Sequence, residues 1–137
     1  MSNRIHYQSG FKYQLVFTYI DQFDFMIPED ISWSWFDISK DGKIKIKKGY
    51  AWDGPSGPTI DTRNFMRGSL IHDVLYQAIR LELLPKSFRK TADEILRETC
   101  LEDGMSKIRA TWVYWGVRKG AWWAADKQHR KKVLVAP

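Results

Sequence analysis

The first half of the chain carries apolar residues at the two-residue period of a β-strand. The run 11–20 is rich in aromatic and β-branched residues, which favour strands. Apolar and polar residues then alternate along 31–38 and again along 43–47, where isoleucines and lysines take opposite faces. The segment 39–42, Ser-Lys-Asp-Gly, supplies turn residues between these two runs. We therefore predict several strands, with 31–38 and 43–47 joined as a hairpin.

The second half changes to a helical period, with apolar residues returning every three or four positions. A first helix is predicted from 61–64 to a point before residue 85, a second over 87–103 and a third over 106–124. Gly104 is expected to stop the second helix, and Ser106 to cap the third. The expected apolar stripes are Phe65, Ile71, Val74, Leu75, Ala78 and Ile79 in the first helix, and Phe88, Ala92, Ile95, Leu96 and Thr99 in the second.

These patterns predict an α+β fold, with an N-terminal antiparallel sheet packed against a C-terminal three-helix unit. A length of 137 residues fits one domain. Its expected parts are a mainly β region (1–50), a Gly/Pro-rich loop (51–61), three helices (62–125) and a basic tail (126–137). The aromatic fraction of 15% favours a packed core over disorder.

The single cysteine, Cys100, excludes an internal disulfide and any cysteine-based zinc cluster. We expect it to be buried in a helix. The three histidines are far apart in sequence and do not have the spacing of a metal motif.

The net charge of +6 favours anionic partners, such as nucleic acid or phospholipid headgroups. The basic residues fall in two groups, and solvated faces are the simpler interpretation. No stretch approaches the roughly 20 apolar residues of a membrane span, and the N-terminus lacks the apolar core of a signal peptide. We therefore expect synthesis in a cytoplasm and no transmembrane segment.

The third predicted helix is rich in tryptophan. Trp112 and Trp115 share a face, Trp122 and Trp123 follow, and basic residues are interspersed. Such a set suits a lipid–water interface or a surface that stacks on bases. Because a domain of this size needs large apolar residues inside, we expect most of these indoles to be core. Trp122 and Trp123 cannot both point inward, so at least one is a candidate partner contact.

The first predicted helix also has a polar side. His72, Asp73, Tyr76 and Arg80 recur there at helical spacing. If the first two helices are antiparallel, Asp93 of the second could reach His72 and fix its tautomer. The simpler alternative is that these side chains cap or bridge neighbouring elements.

The segment 53–58 between the two halves contains two glycines and two prolines and cannot be regular structure. Such a loop can turn backbone carbonyls toward one point and hold a hard cation such as Ca²⁺ together with a carboxylate. In the alternative, Asp53 and Asp61 only tie down the loop.

Three segments together resemble a family of small uncharacterised proteins from bacteriophages and bacteria. They are 50–58 with its W-D-G-x-S-G-P loop, 67–77 with its H-D-x-L-Y helix, and the following Ala92-Asp93. The resemblance covers about the last two thirds of the chain. It implies a phage or prophage origin, hence the host cytoplasm at synthesis or a place in the virion, but no activity.

The run 72–76 is also similar to the H-D-x-C-Y helix of phospholipase A2 enzymes, including the minimal parvoviral form. This resemblance implies that His72 is the general base for attack on an ester carbonyl. The other implied roles are Asp93 as the residue that orients His72, Tyr76 as support for Asp93, and Asp73 with the carbonyls of Trp52, Gly54 and Gly57 as calcium ligands. Further site candidates are Asp53, Ser56, Asp61 and Arg80.

The chain departs from the phospholipase pattern in two ways. Leu75 replaces the usual cysteine, and the loop 53–58 does not reproduce the glycine-rich calcium loop residue for residue. Three function hypotheses follow: a calcium-dependent, phospholipase A2-like hydrolase; a noncatalytic virion or tail component that contacts other phage proteins; and a small phage protein that binds a host protein or nucleic acid.

Overall fold

The computed structural model describes residues 5–8, 13–52 and 63–125, without the side chains of 7–8 and 121–125. By their contacts these residues fall into two compact units, a sheet unit (5–8 and 13–52) and a helical unit (63–125). Antiparallel strands in two sheets precede three helices, so the α+β prediction is confirmed. The single-domain assignment stays a prediction. Most of the predicted loop and the whole basic tail lie outside the described residues.

Two small antiparallel sheets make up the sheet unit. One has the order β1-β2-β7 and the other the order β3-β6-β5-β4. The strands are β1 Tyr7–Gln8, β2 Tyr13–Leu15, β3 Tyr19–Gln22, β4 Ile31–Ser32, β5 Phe36–Ile38, β6 Lys43–Ile46 and β7 Ala51–Trp52.

The predicted hairpin is confirmed as β5–β6, with Ile38 opposite Ile44. Ile44 and its neighbour on the same face, Ile46, have no exposed surface, whereas Lys43 and Lys45, which alternate with them, face solvent. Gly42 closes the turn with a φ of 92° and lies so close to Phe23 that a Cβ would stand 2.2 Å from the Phe23 carbonyl oxygen. Only glycine satisfies both conditions.

Two of the runs that favour strands each contain more than one strand. Residues 13–20 hold parts of two strands of different sheets, with a bend at 16–18 between them. The run 31–38 holds β4 and β5, because the Trp33 amide bonds to the Phe36 carbonyl and folds the chain back. Residue composition predicted strand but did not reveal either reversal.

The helices are α1 Arg63–Arg80, α2 Arg89–Glu102 and α3 Lys107–Ala125. A single 3₁₀ turn, Lys86–Phe88, precedes α2, so Phe88 is only half-buried and lies outside the α2 stripe. Gly104 ends α2 with a φ of 98°. The Ser106 hydroxyl accepts a hydrogen bond from the Arg109 amide at 3.2 Å, which confirms the predicted cap.

The helical unit has a closely packed core where α1 crosses α2. A Cβ on Gly68 of α1 would lie 3.0 Å from both Cys100 Sγ and Leu96 Cδ1, so the absence of a side chain permits the close approach. Cys100 is fully buried as predicted, and burial raises the pKa of its thiol to about 12. Within the described ranges, no helix is both long and apolar enough to cross a bilayer.

Candidate functional site

The polar side of α1 faces the interior of the helical unit. His72 and Tyr76, one turn apart, are 9% and 2% exposed. Their rings stack at a tilt, with centroids 4.1 Å apart. Asp93 of α2 lies opposite them with no exposed surface. Three of the predicted site residues are therefore together, away from bulk water.

The two carboxylate oxygens of Asp93 contact groups from different helices. Oδ1 lies 2.7 Å from His72 Nε2 and accepts a 2.7 Å hydrogen bond from the Tyr76 hydroxyl. Oδ2 accepts a 2.9 Å hydrogen bond from Arg118 Nη1 of α3. Arg89 Nε is 4.0 Å from the same oxygen. The carboxylate is thus held by groups from all three helices.

Two arginines complete this group, which we call the Asp93 cluster: His72, Tyr76, Arg89, Asp93 and Arg118. Arg89 Nε donates to the Tyr76 hydroxyl at 3.2 Å, and Arg89 Nη2 donates to the backbone carbonyl of Arg118. Both guanidiniums keep part of their surface in solvent, 20% and 26% of the side chain. They offset a buried negative charge that would otherwise be costly.

Sequence reasoning missed both arginines. Arg89 lies four residues before Asp93, so same-face spacing on α2 could have found it. Arg118 comes from the third helix, 25 residues away, and no local pattern marks it.

Burial is the largest influence on Tyr76. It raises the pKa of the phenol well above its ordinary value of 10.0, and the neighbouring Asp93 carboxylate raises it further. Arg89 lowers the pKa of Tyr76, but by less than burial and Asp93 raise it. Tyr76 therefore stays a neutral hydrogen-bond donor to Asp93 at physiological pH.

The predicted calcium ligands fall in different parts of the chain. Asp73 follows His72 on α1 and is half-buried, as is Arg80 one turn beyond Tyr76. Trp52 belongs to β7 of the sheet unit. It lies opposite Tyr13 of β2, and its indole is buried. The other loop candidates lie outside the described residues: Asp53, Gly54, Ser56, Gly57 and Asp61. In 5–8, 13–52 and 63–125, no three His, Cys, Asp or Glu side chains are grouped to hold a metal.

A second ionic group, the Arg67 cluster, joins the start of α1 to the end of α2. Arg67 is 3% exposed and donates from Nε and Nη2 to both carboxylate oxygens of Asp103, at 3.0 and 3.2 Å. Its Nη2 also donates to Glu102 Oε1 at 2.6 Å. This forked geometry is the one in which arginine binds carboxylates most strongly.

The prediction that most α3 tryptophans are core is wrong for the two that are described. Trp112 is 78% exposed and Trp115 is 55% exposed. The inward positions of α3 are taken by Ala110 and Tyr114, one turn apart and both buried. The side chains of Trp122 and Trp123 lie outside the described part.

Comparison with known proteins gives a family match. No curated protein and no solved structure is similar enough to report. A family model matches residues 32–117, more than half of the chain, and this range includes the whole Arg67 cluster and every member of the Asp93 cluster except Arg118. The chain therefore belongs to the family described as "Protein of unknown function (DUF1353)".

Proposed function

We propose that the protein is a phage- or prophage-encoded ester hydrolase of the phospholipase A2 type, in which His72 is the general base. The observation that carries this proposal is the 2.7 Å contact between His72 Nε2 and the fully buried Asp93 carboxylate. A histidine oriented by a buried carboxylate is the arrangement that activates a water or hydroxyl nucleophile in many hydrolases.

The chemistry follows from the two ring nitrogens of His72. In the neutral ring, an Nε2–H that donates to Asp93 leaves the lone pair on Nδ1. Nδ1 then takes a proton from water while the water oxygen attacks the ester carbonyl. The same proton passes to the departing alkoxide, so that a fatty acid and an alcohol leave. Asp93 stabilises the imidazolium formed in between, and Tyr76 and Arg118 hold Asp93 in place.

In this mechanism Asp73 would supply a carboxylate ligand for Ca²⁺. A half-buried carboxylate next to the base in sequence is the kind of oxygen ligand that this cation prefers. When bound, the cation would supply a positive charge that stabilises the oxyanion of the ester.

The test is release of fatty acid from phospholipid vesicles by wild type, His72→Gln and the control His6→Gln. His6 is an exposed histidine in the sheet unit, so its loss should leave the rate unchanged. His72→Gln should lower the rate by about 10²–10⁴-fold, the usual contribution of a general base. Chelation of calcium should also abolish release. Absence of activity in wild type, or an active His72→Gln protein, would overturn the proposal.

A second candidate is a noncatalytic virion or tail component. It is favoured by the contacts of Asp93 with α1 and α3, which would cross-link the three helices in a purely structural protein. In that case wild type would release no fatty acid but would sediment with phage particles.

A further inference from the structure

The outer face of α3 presents an apolar ridge. Ile108, Trp112 and Trp115 lie at i, i+4 and i+7, and their exposed fractions are 78%, 78% and 55%. Lys119 is exposed one turn further along the same line. We call these four residues the α3 ridge. At 1.5 Å per residue the ridge runs for about 16 Å.

The opposite face of α3 already has its packing partners. Ala110 belongs to the helical core, and Tyr114 is buried with the Arg97 guanidinium over its ring at 4.5 Å. The ridge is therefore additional apolar surface, which the core of the helical unit does not cover. Two indoles and an isoleucine in one exposed line are more than scattered surface residues, and such patches mark contact sites.

The charge of α3 restricts the partner. Its 19 residues include four basic side chains and no acidic one. The basic residues are Lys107, Arg109, Arg118 and Lys119. Arg118 is already bound to Asp93, whereas Lys107 and Lys119 are exposed. Pairing with a second copy of this face would bring these exposed like charges together, whereas an anionic partner would offset them.

Among anionic partners the ridge fits lipid better than nucleic acid. Proteins that bind single strands stack bases on aromatic rings along a positively charged groove. Here the surface is the convex side of a helix, and Ile108 offers no ring for stacking. A helix with indoles on one side and basic residues beside them instead suits the boundary between headgroups and acyl chains.

We infer that the α3 ridge docks the protein on the surface of an anionic phospholipid bilayer. Ile108, Trp112 and Trp115 would enter the boundary region, and Lys119 would meet lipid phosphates. This inference rests on the proposed function and adds to it, because it names an anionic lipid surface as the place where the enzyme meets its ester substrate. Binding is measured without turnover, so its failure and the failure of His72 as a base are separate results.

The experiment is vesicle flotation with phosphatidylcholine alone and with phosphatidylglycerol added. The variant Trp112→Ala/Trp115→Ala removes the ridge indoles. The matched control, Phe17→Ala/Met26→Ala, removes apolar side chains that are 61% and 76% exposed in the sheet unit. All four positions are exposed, so the fold should persist, which circular dichroism checks. Wild type should bind the anionic vesicles, the ridge variant more than about tenfold less tightly, and the control unchanged.

Two charge-reversal variants test the role of the basic residue in the ridge. Lys119→Glu should weaken binding by about tenfold at low salt, whereas Lys45→Glu, at an exposed position of β6, should have a smaller effect. The inference would be overturned if wild type bound neither kind of vesicle, or if the ridge and control variants lost lipid binding equally. It would also be overturned if the indoles were needed for self-association or for binding of single-stranded DNA but not for lipid binding.

Discussion

The two ionic clusters of the helical unit both join α1 to α2, but they differ in the groups that hold the buried charge. In the Arg67 cluster a buried guanidinium binds two carboxylates, and the Glu102 side chain keeps 60% of its surface in solvent. In the Asp93 cluster the buried group is the carboxylate, and it contacts an imidazole, a phenol and two partly exposed guanidiniums.

This difference separates a structural ion cluster from a candidate reaction centre. The Arg67 cluster consists of one guanidinium bound to two carboxylates and contains no imidazole. The Asp93 cluster contains His72, whose imidazole can accept a proton on one ring nitrogen while the other nitrogen contacts the carboxylate. Burial of a charge is common to both, so burial alone does not indicate chemistry.

The largest expected effect is the loss of the Asp93 carboxylate. Asp93→Ala should lower the free energy of unfolding by about 3–5 kcal/mol, because it leaves His72, Tyr76 and Arg118 without their shared acceptor. Arg67→Met should cost less, about 1–3 kcal/mol, since only Asp103, with 11% of its side chain exposed, loses its partner in a buried place, whereas the 60%-exposed Glu102 stays hydrated. Urea denaturation followed by helical circular dichroism measures both.

The control is Asp24→Ala, at an exposed position of the sheet unit, which should change the free energy of unfolding by less than about 0.5 kcal/mol. If Asp93→Ala were as mild as Asp24→Ala, the Asp93 cluster would not hold the three helices together. If Arg67→Met were the most harmful of the three, the ranking of the two clusters would be reversed.

The pH dependence of the unfolding free energy should also distinguish the two clusters, with a smaller effect. Tyr76→Phe should cost about 1–2 kcal/mol near neutral pH, because it removes the hydrogen bond to Asp93. The raised pKa of Tyr76 means that its contribution to stability is present below pH 10.0 and is lost as the pH rises above it, since only the unfolded phenol then ionises. The gap in unfolding free energy between wild type and Tyr76→Phe should therefore shrink by roughly 1.4 kcal/mol per pH unit above 10.0, so that it closes about one pH unit above that value.

Cys100 provides the reference for this measurement. Its raised pKa, about 12, makes stability fall in the same direction from pH 9.0 upward, but equally in wild type and in Tyr76→Phe. Unfolding titrations from neutral to alkaline pH would show the narrowing. A gap that stays constant above pH 10.0 would contradict the buried, neutral state of Tyr76.

Sequence reasoning predicted the parts of this protein that depend on local pattern. The β5–β6 hairpin follows from alternation and a Ser-Lys-Asp-Gly turn, and the contact of His72 with Asp93 from helical spacing and an antiparallel helix pair. Chain reversals inside 11–20 and 31–38 have no such signal, because aromatic and β-branched residues favour strand whichever sheet they join.

The third helix shows a different limit. Because α3 has apolar residues on every side, the hydrophobic pattern does not identify its inward face, and the outward position of Trp112 and Trp115 was not predicted. Arg118 was missed for a related reason, since a basic residue on such a helix gives no sign of reaching a carboxylate 25 positions away.

The central claim is that Asp93 holds His72 in the tautomer that leaves Nδ1 able to accept a proton. Long-range ¹H–¹⁵N correlation spectra of the imidazoles at neutral pH test it without a substrate, and His72→Gln assigns the signals among the three histidines. We expect the neutral form of the His72 ring to carry its proton on Nε2 and to leave Nδ1 bare. A neutral form with its proton on Nδ1 instead would contradict this claim.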